Sequence, residues 1–63
     1  MSKSDLVSQW NELKVLIESL ELDVLKNANG NKSAGVRARK GLRLLKQRSG
    51  DLVKSSLLSD KEA

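Results

Sequence analysis

The chain has 63 residues, of which 38% are hydrophobic, 32% charged and 2% aromatic. This composition is typical of one small soluble domain rather than a disordered segment. The chain contains no cysteine and no histidine and carries a formal net charge of +4, which excludes disulfides, thiol nucleophiles and the commonest ligands of a structural zinc site.

The short length limits both the core and the chemistry. Below roughly 70–80 residues a single hydrophobic core rarely supplies more than about 3–5 kcal/mol, so we expect a homodimer to provide the missing burial. General acid or base catalysis needs a pocket that excludes water, and a chain of this length has few residues with which to enclose one. We therefore expect no enzyme activity, catalytic residue, metal, cofactor or small-molecule substrate.

No segment approaches the roughly 20 apolar residues of a membrane span. The start of the chain, MSKSDL, lacks the basic and apolar regions of a signal peptide. A cytoplasmic protein without membrane association is expected.

The first predicted element is a helix from about residue 4 to 27. Apolar residues recur there with a spacing of 4, 3, 4, 3 and 4, which keeps one side of a helix apolar. Ser2 or Ser4 is a candidate N-cap, and Asp5 complements the positive end of the helix dipole. The predicted core positions are Leu6, Trp10, Leu13, Ile17, Leu20 and Val24.

A polar turn is predicted at about 28–31. Gly30 can adopt the left-handed conformation that ends a helix. Asn31 or Ser33 can cap the helix that follows.

The second predicted helix runs from about 32 to 57, with a flexible tail at 58–63. The same 4, 3, 4, 3, 4 spacing recurs at Ala38, Leu42, Leu45, Ser49, Leu52 and Ser56, of which the predicted core positions are Ala38, Leu42, Leu45 and Leu52.

Two helices joined by a short turn predict an all-α fold with one domain, an antiparallel hairpin that dimerises into a four-helix bundle. Small residues near the turn should let the helices approach closely: Gly35, Ala38 and Gly41. The expected facing pairs are Leu20 with the level of Ala38, Ile17 with Gly41 and Leu42, Leu13 with Leu45, and Trp10 with Ser49 and Gly50.

Charge is distributed unevenly along the chain. Residues 1–25 carry a net charge of −3, and residues 51–63 carry −1. Residues 26–50 contain eight cations and no acid: Lys26, Lys32, Arg37, Arg39, Lys40, Arg43, Lys46 and Arg48. This block is the main functional signal in the sequence.

Two interpretations of the basic block compete. The cations can pair with acids of the first helix across the hairpin, as charges do at coiled-coil borders. Five acids cannot neutralise eight cations, however, and exposed pairs are worth only about 0–1 kcal/mol, which favours binding of a polyanion. Duplex DNA fits better than single-stranded RNA because the block has no aromatic residue on which bases could stack.

The order of residues from Gly30 to Lys46, GNKSAGVRARKGLRLLK, resembles the bacterial histone-like family related to eukaryotic linker histones. The resemblance covers roughly residues 10–55. It implies non-specific DNA binding and a role in chromosome compaction, at the matching positions Lys32, Arg37, Arg39, Lys40, Arg43 and Lys46. Longer members append a Lys/Ala/Pro-rich tail, whereas this chain ends in SDKEA, so compaction driven by a disordered tail is not expected.

The sequence thus predicts a nucleoid-associated protein that binds duplex DNA with little sequence specificity. Arg48, on the opposite flank of the second helix with Arg37, completes the predicted DNA-binding set. An alternative is a small coiled-coil module whose basic helix docks on an acidic protein. A helix lying on a membrane surface ranks third, because no bulky aromatic residue accompanies the cations.

Overall fold

The computed structural model describes residues 3–62, which form two helices and no strand. Helix α1 spans Lys3–Ala28 and helix α2 spans Lys32–Glu62. The helices pack side by side in opposite directions and form a flat rod of 48 × 15 × 11 Å. The predicted all-α antiparallel hairpin is confirmed.

The turn between the helices is held by backbone hydrogen bonds of the Schellman type. Gly30 has φ of 96°, and its N–H donates to the carbonyl of Asn27 at 2.9 Å. The N–H of Asn31 donates to the carbonyl of Lys26 at 3.0 Å. These bonds satisfy carbonyls that the end of α1 would leave unpaired, and glycine takes the left-handed conformation without steric cost.

Asn31 caps the second helix. Its side-chain Oδ1 accepts a hydrogen bond from the N–H of Ala34 at 2.9 Å. Its carbonyl accepts the first helical bond, from Gly35 N–H, at 3.1 Å. This is the geometry of an N-cap residue, so Asn31 rather than Ser33 holds the position. The proposed cap at Ser2 or Ser4 lies outside the described side chains.

The seam between the helices is rotated relative to the predicted one. Leu13, Leu20 and Ala38 are buried, while Leu6, Leu45 and Leu52 are half-buried, as expected for seam positions. Four predicted core residues are instead between 43% and 49% exposed: Trp10, Ile17, Val24 and Leu42. The half-buried positions that complete the seam of α1 are Gln9, Leu16 and Asp23.

The facing pairs change with this rotation. Leu20 packs directly on Gly41, so that a Cβ atom at position 41 would collide with Leu20 Cδ2. Leu20, rather than Ile17, provides the three atoms nearest to this position. Gly50 has open space around it, and Trp10 remains half exposed, so Trp10 does not cover Gly50 within the hairpin.

Helix α2 extends to Glu62, five residues past the predicted end, and the segment expected to be a flexible tail is helical over 58–62. Ser55 is buried and Ser59 is half-buried. Helix α2, with 31 residues, is longer than α1, with 26. No proline or glycine follows Gly50 to end the helix earlier.

The core is thin. None of the large side chains that the structure describes is fully buried, and the best-buried apolar side chains are those of the small residues Ala34 and Ala38. Close approach of the backbones therefore takes the place of interlocking large side chains along much of the seam.

Two glycines of α2 provide a matched test of the close approach. We expect Gly50→Ala to raise the free energy of unfolding by roughly 0.5–1 kcal/mol, because alanine favours the helix and its methyl group enters open space. Gly41→Ala has the same helix preference but forces Leu20 to shift. We therefore expect the free energy of unfolding of Gly41→Ala to be about 1–3 kcal/mol lower than that of Gly50→Ala. Urea unfolding followed by circular dichroism measures both; equal stabilisation would contradict the tight contact.

Candidate nucleic-acid interface

The predicted DNA-binding cations all lie on α2, and the structure exposes every one of them to solvent: Lys32, Arg37, Arg39, Lys40, Arg43, Lys46 and Arg48. They occupy sixteen residue steps of one helix, which at 1.5 Å per residue is a length of about 24 Å. The first turn of α2 contains no acidic residue, so the positive end of the helix dipole adds to their field.

The cations divide between the two sides of the rod. At about 100° per residue, Arg37 and Arg48 lie on the same side of the seam as Leu44, and Arg39 and Lys46 lie on the opposite side, next to Leu42. Lys32, Lys40 and Arg43 point away from α1. The structure brings the seven residues onto one helix but not onto one face.

A groove runs along the Leu44 side of the seam near the turn. Its floor is formed by Leu16, Leu20 and Gly41, and its rim carries polar and cationic side chains from both helices. We call it the basic groove; its charged or polar lining residues are Ser19, Asp23, Arg37, Lys40, Arg43 and Gln47. Three cations and one acid give this groove a positive balance.

The groove changes character toward the open end of the hairpin. There Arg48 is accompanied by Glu12 and Asp51 around the apolar floor of Leu16 and Leu44. Two acids and one cation make this end locally negative. Arg48 thus lies in a less favourable field for a phosphate than the cations of the basic groove.

One cation of the set has an ionic partner inside the hairpin. Arg37 Nε donates to Asp23 Oδ1 at 3.1 Å, with the side chain of Arg37 55% exposed and that of Asp23 22% exposed. Within residues 3–62, the structure shows no ion pair for the other six cations. Pairing across the seam therefore accounts for one of the seven, and the remaining six keep their charge available to a ligand.

Arg39 takes a different position from Arg37. Its guanidinium lies over the first turn of α2, where Nη1 is 3.1 Å from the place that a Cβ of Gly35 would occupy. The side-chain amide of Asn27 covers the same spot and donates to the Asn31 carbonyl at 3.4 Å. Gly35 thus gives room for the packing of these two polar side chains at the turn.

The place of Asp23 in the basic groove is the feature that the sequence did not reveal. With the predicted apolar stripe running through Val24, Asp23 is expected at the border of the seam with the other charges of α1. A seven-residue spacing, Gln9, Leu16 and Asp23, marks the true flank of the seam, but only Leu16 in this row is apolar. Hydrophobicity alone therefore predicts that the row of Trp10, Ile17 and Val24 lies in the seam.

A hairpin of two helices with an uncompensated basic segment defines a small, basic, all-helical protein. A family model described as histone H1-like protein Hc1 matches residues 8–59. This range includes most of both helices, the whole turn and all seven cations. The chain belongs to this family of histone H1-like proteins, which confirms the resemblance noted in the sequence and places it among DNA-binding proteins of chromatin or the nucleoid.

Comparison with curated proteins and with solved structures gave no match. Within the described residues, neither helix has an apolar stretch long enough to cross a membrane.

The ion pair between Asp23 and Arg37 is accessible to water, which limits its contribution to stability. We expect a double-mutant cycle of Asp23→Ala and Arg37→Ala to give a coupling energy below about 1 kcal/mol that decreases with added salt. Urea unfolding of the four proteins at one protein concentration measures this energy. A coupling above about 2 kcal/mol would instead make the pair part of what holds the hairpin together.

Proposed function

We propose that the protein binds duplex DNA with little sequence specificity through the cations of α2 and acts architecturally, organising or compacting the bacterial chromosome. The observation that carries this proposal is the set of six exposed cations without an ionic partner in the described chain, on a member of the histone H1-like family. We further propose that it works in the cytoplasm, associated with the nucleoid, as a homodimer.

Contacts with phosphates explain the expected lack of sequence specificity. Arginine and lysine neutralise phosphates whatever the base, whereas reading a base edge requires several well-placed groups in a groove. In the basic groove only Gln47 adds an amide to the cations. The geometry thus offers many charges for the backbone and few groups suited to a base.

The dimensions of α2 suit a duplex. The cations span about 24 Å along the helix, and the backbone of B-DNA carries one phosphate per strand every 3.4 Å or so along its axis. A rigid row of this length can follow the backbone over several base pairs. The single aromatic residue, Trp10, lies on α1 outside the basic segment, so a stacking platform for single strands is missing from the described surface of α2.

The candidate contacts differ in their surroundings. Arg37, Lys40 and Arg43 line the basic groove, and Arg37 becomes available to a phosphate when it leaves Asp23. Lys32 extends this row toward the turn. Arg39 and Lys46 form a second group on the other side of the seam, and Arg48 is shared with acidic neighbours. We propose the basic groove as the principal contact with DNA.

Binding should be independent of sequence and strongly dependent on salt. The salt slope, the slope of the logarithm of the binding constant against the logarithm of the salt concentration, is about −0.9 per phosphate contact. With four phosphates contacted, the affinity is therefore expected to fall roughly 100-fold between about 50 and 200 mM salt. Fluorescence anisotropy with two unrelated duplexes of equal length measures this. Absence of binding at low salt would overturn the proposal and leave an acidic protein as the ligand of the basic helix.

Single substitutions locate the contact within α2. Lys40→Ala and Arg43→Ala are each expected to reduce the salt slope by about 0.9. Lys14→Ala, which removes an exposed cation of α1 outside the basic block, is the matched control and should leave the slope unchanged. An unchanged slope in Lys40→Ala and Arg43→Ala would move the contact to Arg37 and Arg48.

A further inference from the structure

An exposed apolar surface lies on the side of the rod opposite the basic groove. Its residues, the Trp10 face, are between 43% and 55% exposed in the hairpin: Trp10, Ile17, Val24, Leu25 and Leu42. The first three follow one another at seven-residue intervals along α1, so they form a continuous row beside the seam. Leu42 extends the surface across the seam onto α2.

The surface area of the chain indicates that the hairpin exposes more surface than a compact protein of its mass. The hairpin exposes 4971 Å², whereas a compact monomer of 6.9 kDa exposes roughly 4,000 Å². The excess of about 1,000 Å² is close to the roughly 800 Å² that each partner buries in a stable interface of standard size. The thin core points the same way.

The charges at the two edges of the Trp10 face are complementary. On α1, Glu18 and Glu21 border the apolar row together with Lys14, which leaves this edge with a net charge of −1. The two glutamates line a shallow depression with Ile17, Val24 and Leu25. On α2, Arg39 and Lys46 border Leu42. Because Leu20 packs on Gly41, the acidic edge and the basic edge lie at the same level of the rod.

We infer that the Trp10 face binds a second copy of the chain, related by a two-fold axis parallel to the helices. In this arrangement α1 of each copy lies against α2 of the other, and both turns are at the same end. Glu18 and Glu21 of one copy then meet Arg39 and Lys46 of the other on both sides of the apolar centre. The inference rests on the homodimer of the proposed function and specifies its interface.

The charge pattern selects this axis. A two-fold axis running across the helices would stack α2 on α2, so that the basic edges of the two copies would lie side by side. The parallel axis instead gives each basic edge an acidic neighbour, and every helix in the resulting bundle is antiparallel to the two beside it. Electrostatic complementarity of this kind fixes the orientation of an interface more than it adds affinity.

The arrangement assigns the two groups of cations to different tasks. Arg39 and Lys46 face the second copy, while the basic grooves, with Arg37, Lys40 and Arg43, point outward on opposite sides of the dimer. One dimer therefore presents two DNA-binding surfaces that face away from each other. This geometry joins two duplexes rather than bending one.

Reciprocal charge reversal tests the interface without DNA. The double variants Glu18→Lys/Glu21→Lys and Arg39→Glu/Lys46→Glu should each dimerise about tenfold or more weakly than the unmodified chain, because like charges then meet at both edges. Mixed in equal amounts, they should form a heterodimer with the original affinity. Native mass spectrometry and sedimentation velocity distinguish the species; a mixture without preference for the heterodimer would overturn the inferred axis.

Substitutions in the apolar centre provide a second test. Ile17→Glu should abolish the dimer, whereas Val15→Glu, which makes the same change at a 64% exposed site on the outer side of α1, should leave it intact. Trp10 is the only aromatic residue, so its emission should shift to shorter wavelength as dimers form with rising concentration. Loss of the dimer in both variants, or an emission independent of concentration, would contradict the Trp10 face.

Bridging is measured with one immobilised and one labelled duplex. The unmodified chain and Val15→Glu should capture the labelled duplex, and Ile17→Glu should bind the immobilised one without capturing the second. Failure of the chain to bind any duplex would overturn the proposed function while leaving the dimer measurements valid. DNA binding without a dimer through the Trp10 face would overturn this inference alone.

Discussion

The contact between Leu20 and Gly41 sets the arrangement of the whole hairpin. A side chain at position 41 would separate the helices, and its absence lets a leucine of α1 reach the backbone of α2. The buried alanines at 34 and 38 extend the close approach to the turn. Only one row of residues on each helix can pack in such a close contact. The contact of Leu20 with Gly41 therefore also determines which side chains remain outside the seam.

The division of the surface follows from that contact. With Leu13 and Leu20 in the seam, Leu16 and Asp23 turn toward one side and Trp10 and Ile17 toward the other. One side becomes a groove with a positive rim, and the other becomes apolar. The same rotation therefore separates the candidate phosphate-binding residues from the surface inferred to bind a second copy, although both derive from two short helices.

Much of the fold could be predicted from local signals. Gly30 and the cap of α2 act within a few residues, and their effect on the backbone does not depend on the rest of the chain. The sequence therefore predicts the left-handed Gly30 and restricts the cap to Asn31 or Ser33, of which the structure shows Asn31. The exact seam could not be predicted, because Leu6, Leu13 and Leu20 belong to two overlapping stripes. Hydrophobicity favours the stripe through Trp10 and Ile17. The packing of Leu20 on Gly41 and the pairing of Asp23 with Arg37 instead stabilise the stripe through Leu16 and Asp23.

The candidate site shows the same division between local and long-range information. The cations were identified by type and order alone, but their distribution over two sides depends on where α1 lies. The extension of α2 to Glu62 is consistent with the sequence near Leu57, where no proline or glycine follows Gly50 to end the helix.

The pair of Asp23 and Arg37 gives the basic groove an internal counterion. When Arg37 turns to a phosphate in the proposed complex, Asp23 loses its partner and attracts a cation from solution, which offsets part of the ion release that accompanies DNA binding. The contact of Arg37 with a phosphate should then add affinity with a smaller dependence on salt concentration than the contacts of its neighbours Lys40 and Arg43. Two arginine or lysine contacts that look alike in the groove thus differ in how far the salt of the surrounding solution governs them.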